Sequence, residues 1–156
     1  MAIDPGPTES AYVIYDTDTG TVQRWAKLPN HQLLTLVEDT MLADELVIEM
    51  IASYGMAVGK SVFETCVWIG RFTDRWLRYG CREDARYVTR LAVKSHLCHS
   101  AKAGDSNVSA AIADRYGGSV KEAKGTKAAP GPLYGLAGDG WAALGVAITH
   151  AESGHN

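Results

Sequence analysis

The run Leu46-Val47-Ile48-Glu49-Met50-Ile51 is apolar at every position but one. A short, nearly continuous apolar run of this kind marks a strand buried on both faces of a parallel sheet. Such a sheet needs helices to cover it, so this segment alone commits the chain to an α/β layer fold. The single exception, Glu49, has Val47 and Ile51 on its own face by the period of two. An unpaired carboxylate in a buried strand costs several kcal/mol. Glu49 is therefore either an ion-paired or edge-strand residue, or a functional one.

The rest of the pattern fits the same architecture. Met1 to Asp4 reads as a very short strand stopped by Pro5-Gly6. Residues 11–15 and 21–28 read as an antiparallel hairpin around the turn residues 16–20. Pro29-Asn30 opens a helix with Leu33, Leu34, Val37 and Met41 at helical spacing. A long helix is predicted over Lys60–Tyr79, with Val62, Cys66, Ile69 and Trp76 along one seam and Gly80 as its stop. A fifth strand follows at 86–89, then helices at 90–98, 107–116 and 139–152. The stretch 117–138, rich in Gly, Lys, Ala and Pro, reads as a mobile loop. The expectation is one domain over residues 1–156, built on a mixed five-stranded sheet (an antiparallel hairpin plus parallel strands) flanked by helices.

Three cysteines are too few and too scattered for a disulfide framework. A zinc site on His96, Cys98, His99 and Cys81 lacks a paired C-x-x-C knuckle. With no apolar run of membrane-spanning length and no secretory leader pattern, the expected location is the cytoplasm. The net charge of −3 does not advertise a nucleic-acid binder, but the charge is segregated. Residues 1–50 hold nine acids against Arg24 and Lys27. Residues 71–102 hold eight basic residues, including Arg71, Arg90, Lys94 and Lys102, against Asp74, Glu83 and Asp84. An acidic pole beside a basic belt is what a metal-dependent nuclease requires, although a solvated helix face with ion pairs gives the same belt.

Asp4, Glu49 and Asp139 are the acids whose settings favour them least. Asp4 ends a strand, although a turn residue before Pro-Gly is a bland alternative. Asp139 opens the last helix, where it would serve equally as an N-cap. With the first and fourth strands parallel neighbours, Asp4 and Glu49 would stand roughly 5 Å apart, with Asp139 closing over them. Clustered carboxylates call for hard cations, Mg²⁺ or Mn²⁺. Two such ions roughly 4 Å apart would serve phosphodiester cleavage.

These residues also carry a resemblance. Ile3-Asp4-Pro5-Gly6 resembles the opening signature of RuvC-type Holliday-junction resolvases, and Val47-Ile48-Glu49 their second acidic strand. Gly59-Lys60-Ser61 through Ile69-Gly70-Arg71 resembles the helix that follows. Residues 143–151, ALGVAITHA, are similar to the family's ending, and the sequence looks closest to phage-type members. The resemblance implies an RNase H-like fold, a homodimer and metal-dependent nicking of four-way junctions, with Asp4, Glu49 and Asp139 as catalytic metal ligands. It implies a second acid three residues after Asp139, where this chain has Ala142, leaving Asp105 as a substitute or as a plain N-cap. Lys60, Arg71, Lys94 and Lys102 are the implied phosphate contacts, and Tyr54 or Phe63 the implied junction aromatic. Phe63, Trp68, Phe72 and Trp76 make the long helix the candidate dimer interface. The short first strand leaves open a truncated start. Other substrates (a flap, a Y-fork or an RNA–DNA hybrid) and a junction-binding protein without catalysis remain as alternatives.

Overall fold

The computed structural model describes residues 1–39, 41–53, 55, 57–79 and 84–154. Tyr54, Gly80, Cys81 and Arg82 lie outside the described residues. In chain order the elements are β1 (Ala2–Asp4), β2 (Glu9–Asp16), β3 (Thr21–Pro29), α1 (Asn30–Val37), β4 (Val47–Met50) and α2 (Lys60–Arg78). They continue with β5 (Arg86–Thr89), α3 (Arg90–Cys98), α4 (Asp105–Asp114), α5 (Val120–Lys124) and α6 (Gly140–Ser153). The strands form one five-stranded sheet in the order β3-β2-β1-β4-β5. β1, β2 and β3 pair antiparallel, while β4 runs parallel to both β1 and β5. The mixed sheet expected from the sequence is the one observed.

The hairpin turn follows from its residues. The Asp16 side chain accepts hydrogen bonds from the Asp18 and Thr19 backbone N–H groups, both at 3.0 Å, and Gly20 takes the left-handed conformation at φ 68°.

Alternation along the strands divides the core in two. Ala2, Ala11, Val13 and Val47 face α3, α4, α5 and α6, while Ile3, Tyr12 and Ile48 face α1 and α2. α6 is buried over most of its length and lies across the first of these faces. Glycine permits the close contact at two points. A Cβ on Gly145 would stand 3.1 Å from Val93 of α3, and one on Gly140 would stand 2.8 Å from the Trp25 ring.

Several expectations need correction. The first helix ends at Val37, and Met41 beyond it is 90% exposed. The buried seam of α2 is Thr65, Trp68, Ile69, Phe72 and Trp76, and Cys66 lies on the exposed face. Trp68, Phe72 and Trp76 are therefore spent on the core, and only Phe63 of the aromatics proposed for an interface is exposed. Ile69 and Trp76 lie on the buried seam as expected, while Val62 and Cys66 do not, because a helix this rich in aromatics offers two apolar stripes and contact with Ile3 and Ile48 selects between them. The stretch read as a loop carries α5, which is capped by reciprocal Ser119–Glu122 hydrogen bonds. Ala123, Leu133 and Leu136 from that stretch are buried in the core. Among the described residues no helix is long and apolar enough to cross a membrane.

Candidate active site

The register of the sheet builds most of the site. Ala2 pairs with Val47 and Ile3 with Ile48, so one residue further on Asp4 and Glu49 stand level on adjacent parallel strands. They share the face of Ala2 and Val47, under α6. The same row continues in both directions: Asp4 pairs with Ala11 and Ala11 with Lys27, while Glu49 pairs with Val88. One line across the sheet thus carries Lys27, Asp4 and Glu49 to one edge of the α6-covered face.

Asp139 reaches the same place from above. It precedes α6, and its side chain makes no capping hydrogen bond. Asp139 thus occupies the N-cap position, with its carbonyl accepting from Ala143 N–H, but leaves its carboxylate free of the capping role. Its carboxylate instead meets the Lys27 ammonium at 2.8 Å. The missing side chain of Gly140 lets the start of α6 settle on Trp25, two residues before Lys27 on the same strand face.

Asp4, Glu49 and Asp139 line a single cavity of about 280 Å³ with Arg90, Asp105 and Trp141. Ala142 also lines it, at the position where the resemblance implies an acid. Asp105 is the first residue of α4 and not its cap, since Gly104 occupies the N-cap position. Its carboxylate bonds the Arg90 guanidinium at 2.5 Å. Arg90 also reaches Glu49, at 3.6 Å.

The electrostatics record the crowding. Burial, then repulsion from Glu49 and Asp139, pushes the Asp4 carboxyl up to about 7, against the pull of Arg90 and Lys27. Burial also raises Glu49, with Asp105 adding and Arg90 and Lys94 opposing. The hydrogen bond from Arg90 lowers Asp105.

The donors suit a hard divalent cation in kind. Four carboxylates surround one cavity, and Glu49 Oε2 is buried without accepting a hydrogen bond. Their present spacing is wider than an ion needs. Among the described residues, no three Asp, Glu, His or Cys side chains stand close enough to hold one ion together. Lys27 draws Asp139 aside, and Arg90 stands between Glu49 and Asp105.

The basic residues singled out from the sequence are not gathered at one place. Lys94 lies near enough to act on both Glu49 and Asp105, and exposed Lys102 occupies the turn before α4. Lys60 and Arg71 belong to α2, which covers the opposite face of the sheet. Lys60 pairs with Glu64 at 3.4 Å, and Arg71 stacks over Trp68 at 4.6 Å.

Sequence reasoning did not assign Lys27 or Arg90 to the site. Lys27 was legible only through the β2–β3 register, and Arg90 only through its place directly after β5 beside Glu49's strand.

No family model matches the chain, and no curated protein matches its sequence. Solved structures do match. The Thermus thermophilus RuvC structure is 17% identical, with a TM-score of 0.61 over 96% of this chain and 91% of that one. A structure of T. thermophilus RuvC in complex with Holliday junction substrate is 13% identical, with a TM-score of 0.62 over 96% of this chain and 90% of that one. By overall superposition and near-complete overlap, the chain has the RNase H-like fold of RuvC.

Proposed function

We propose that this protein is a metal-dependent endonuclease that nicks Holliday junctions or related branched DNA. The observation that carries the reading is the convergence of Asp4, Glu49 and Asp139 on one cavity of a fold shared with a protein solved on a Holliday junction. Asp4, Glu49 and Asp139 would hold Mg²⁺, with Mn²⁺ able to substitute. When bound, such ions supply an activated water and offset the charge on the leaving oxygen of the phosphodiester.

The chain's own residues do the rest. Asp4 and Glu49 sit on neighbouring strands in fixed register, so closing on an ion would take movement of their side chains and not of the backbone that carries them. Asp4 must give up its proton to hold a cation, so cation affinity weakens progressively as the pH falls below about 7. Trp141 and Val108 form the apolar part of the cavity wall. Lys94 and Lys102, on the site's side of the sheet, are the nearer phosphate contacts, and Lys60 and Arg71 would serve a longer DNA track. Symmetric cutting of two strands calls for a homodimer, and exposed Phe63, Val67 and Leu77 on α2 are apolar candidates for its interface.

A second reading has its own observation. Ala142 at the cavity, with Arg90 and Lys27 already neutralising the carboxylates, is what a junction-binding protein without catalysis would display. Cleavage of labelled four-way, Y-shaped and linear duplex DNA with Mg²⁺ or Mn²⁺ separates the two. Nicking of the four-way substrate that is lost in Glu49→Gln, with junction binding retained, supports the nuclease. Tight junction binding in EDTA with no cleavage under either metal supports the binder, and nicking confined to Y-forks or hybrids redirects the substrate.

A further inference from the structure

Arg90 is a cation in direct reach of the buried Glu49 carboxylate. It leaves β5 at the level of Glu49's strand, is three-quarters buried, and divides its guanidinium between Glu49 at 3.6 Å and Asp105 at 2.5 Å. The contact with Glu49 is unfinished on both sides. Arg90 Nη1 and Glu49 Oε2 are buried, and neither has a hydrogen-bond partner. A buried ion pair with open hydrogen-bonding positions recovers little of its desolvation cost. The bond to Asp105 is complete and short, and it lies on the exposed side of the guanidinium.

We propose that Arg90 is the resident cation of this cavity: it holds Glu49 in the metal-free protein, competes with the incoming divalent ion, and is drawn off onto Asp105 when that ion binds. The inference rests on the metal-site reading above and adds to it a residue that sets metal affinity without being a ligand. Asp105 has a defined part in it. Asp105 is the anchor that takes Arg90 away from Glu49, and it is not the missing fourth ligand.

Two single variants have opposite expected signs. In Arg90→Gln the competing charge is gone, and Mn²⁺ should bind more tightly, roughly tenfold for a partly screened unit charge a few ångströms away. In Asp105→Asn the guanidinium loses its alternative partner and stays on Glu49, so Mn²⁺ should bind several-fold more weakly.

The double variant separates positioning from ligation. Once Arg90 is removed, Asp105→Asn should weaken Mn²⁺ binding less than it does with Arg90 present, by only the screened effect of its own charge, because its main action is through Arg90. Binding is read by the Mn²⁺ EPR signal of the free ion in titrations of the full chain, with no DNA present and no dependence on turnover. Arg90→Lys serves as the folding control, since it keeps the charge and should stay nearer to wild type than Arg90→Gln.

Unchanged or weaker Mn²⁺ binding in Arg90→Gln, while Glu49→Gln abolishes it, would overturn the role of Arg90 and leave the metal site standing. An equal loss from Asp105→Asn with and without Arg90 would make Asp105 a ligand and overturn the anchor role. No Mn²⁺ binding in wild type, Arg90→Gln or Glu49→Gln would overturn both the metal site and this inference.

Discussion

Replacing Asp4 by asparagine should make the metal-free protein more stable at neutral pH while removing a residue proposed for its chemistry. Burial, with Glu49 and Asp139 adding, lifts this carboxyl from 3.8 to about 7. A carboxyl raised in the folded state binds its proton more tightly there than in the unfolded chain. Its relative contribution is therefore fully present below the unfolded value near pH 4. It is lost as the pH climbs to about 7 and changes little above that. At about 1.4 kcal/mol per pH unit, the interval corresponds to about 4 kcal/mol of destabilisation at pH 8. Water reaches part of this carboxyl, so roughly 2–4 kcal/mol is the range expected in practice. Asparagine has nearly the same shape and carries no charge, so Asp4→Asn should recover that amount at pH 8 and about 2 kcal/mol less at pH 5. Urea unfolding in EDTA at the two pH values measures the difference. A variant no more stable than wild type at pH 8, or one whose advantage is equal at both, would refute the reasoning about this site. Added Mg²⁺ should stabilise wild type by mass action and leave Asp4→Asn nearly unmoved.

Three further outcomes are expected. Ala142→Asp places a carboxylate at the cavity wall and should lower the Mg²⁺ concentration for half-maximal cleavage, whereas wild type should work better with Mn²⁺ than with Mg²⁺. An unchanged Mg²⁺ requirement would mean that water or another group already completes the shell. Reversing Lys102 or Arg71 to Glu should weaken DNA binding and flatten the dependence of log K on log salt by about one phosphate contact each. A flattened slope in only one of the pair would tell which face of the sheet the DNA follows. Thr89, whose hydroxyl accepts from Ala92 N–H at 3.2 Å, starts the helix that carries Arg90. Its replacement by Ala should cost about 1 kcal/mol in urea unfolding, equally at pH 5 and pH 8.

What the sequence determined by itself was set by short-range pattern. The apolar run around Glu49 required a strand in a sheet covered by helices, and the turn residues 16–20 required the hairpin. An acid in such a strand has few structural excuses, which is why Glu49 stands out from sequence alone. Asp139 is a weaker candidate, since local sequence offers a helix cap just as readily, and the resemblance adds weight to it.

Tertiary structure decided the remainder, because it depends on register and on which of two stripes meets the core. Asp4 and Glu49 are 45 positions apart by their numbering, and only the pairing of Ile3 with Ile48 sets them level. Lys27 becomes a partner of Asp139 through a strand register and a glycine that lets α6 sit down on Trp25. α2 turned a tryptophan and phenylalanine stripe inward that sequence reasoning had assigned to a partner, since its pattern satisfied either use. Arg90 looked like one more charge in a basic belt. Its buried place between Glu49 and Asp105 follows from β5 pairing with β4, a long-range contact that no local periodicity encodes.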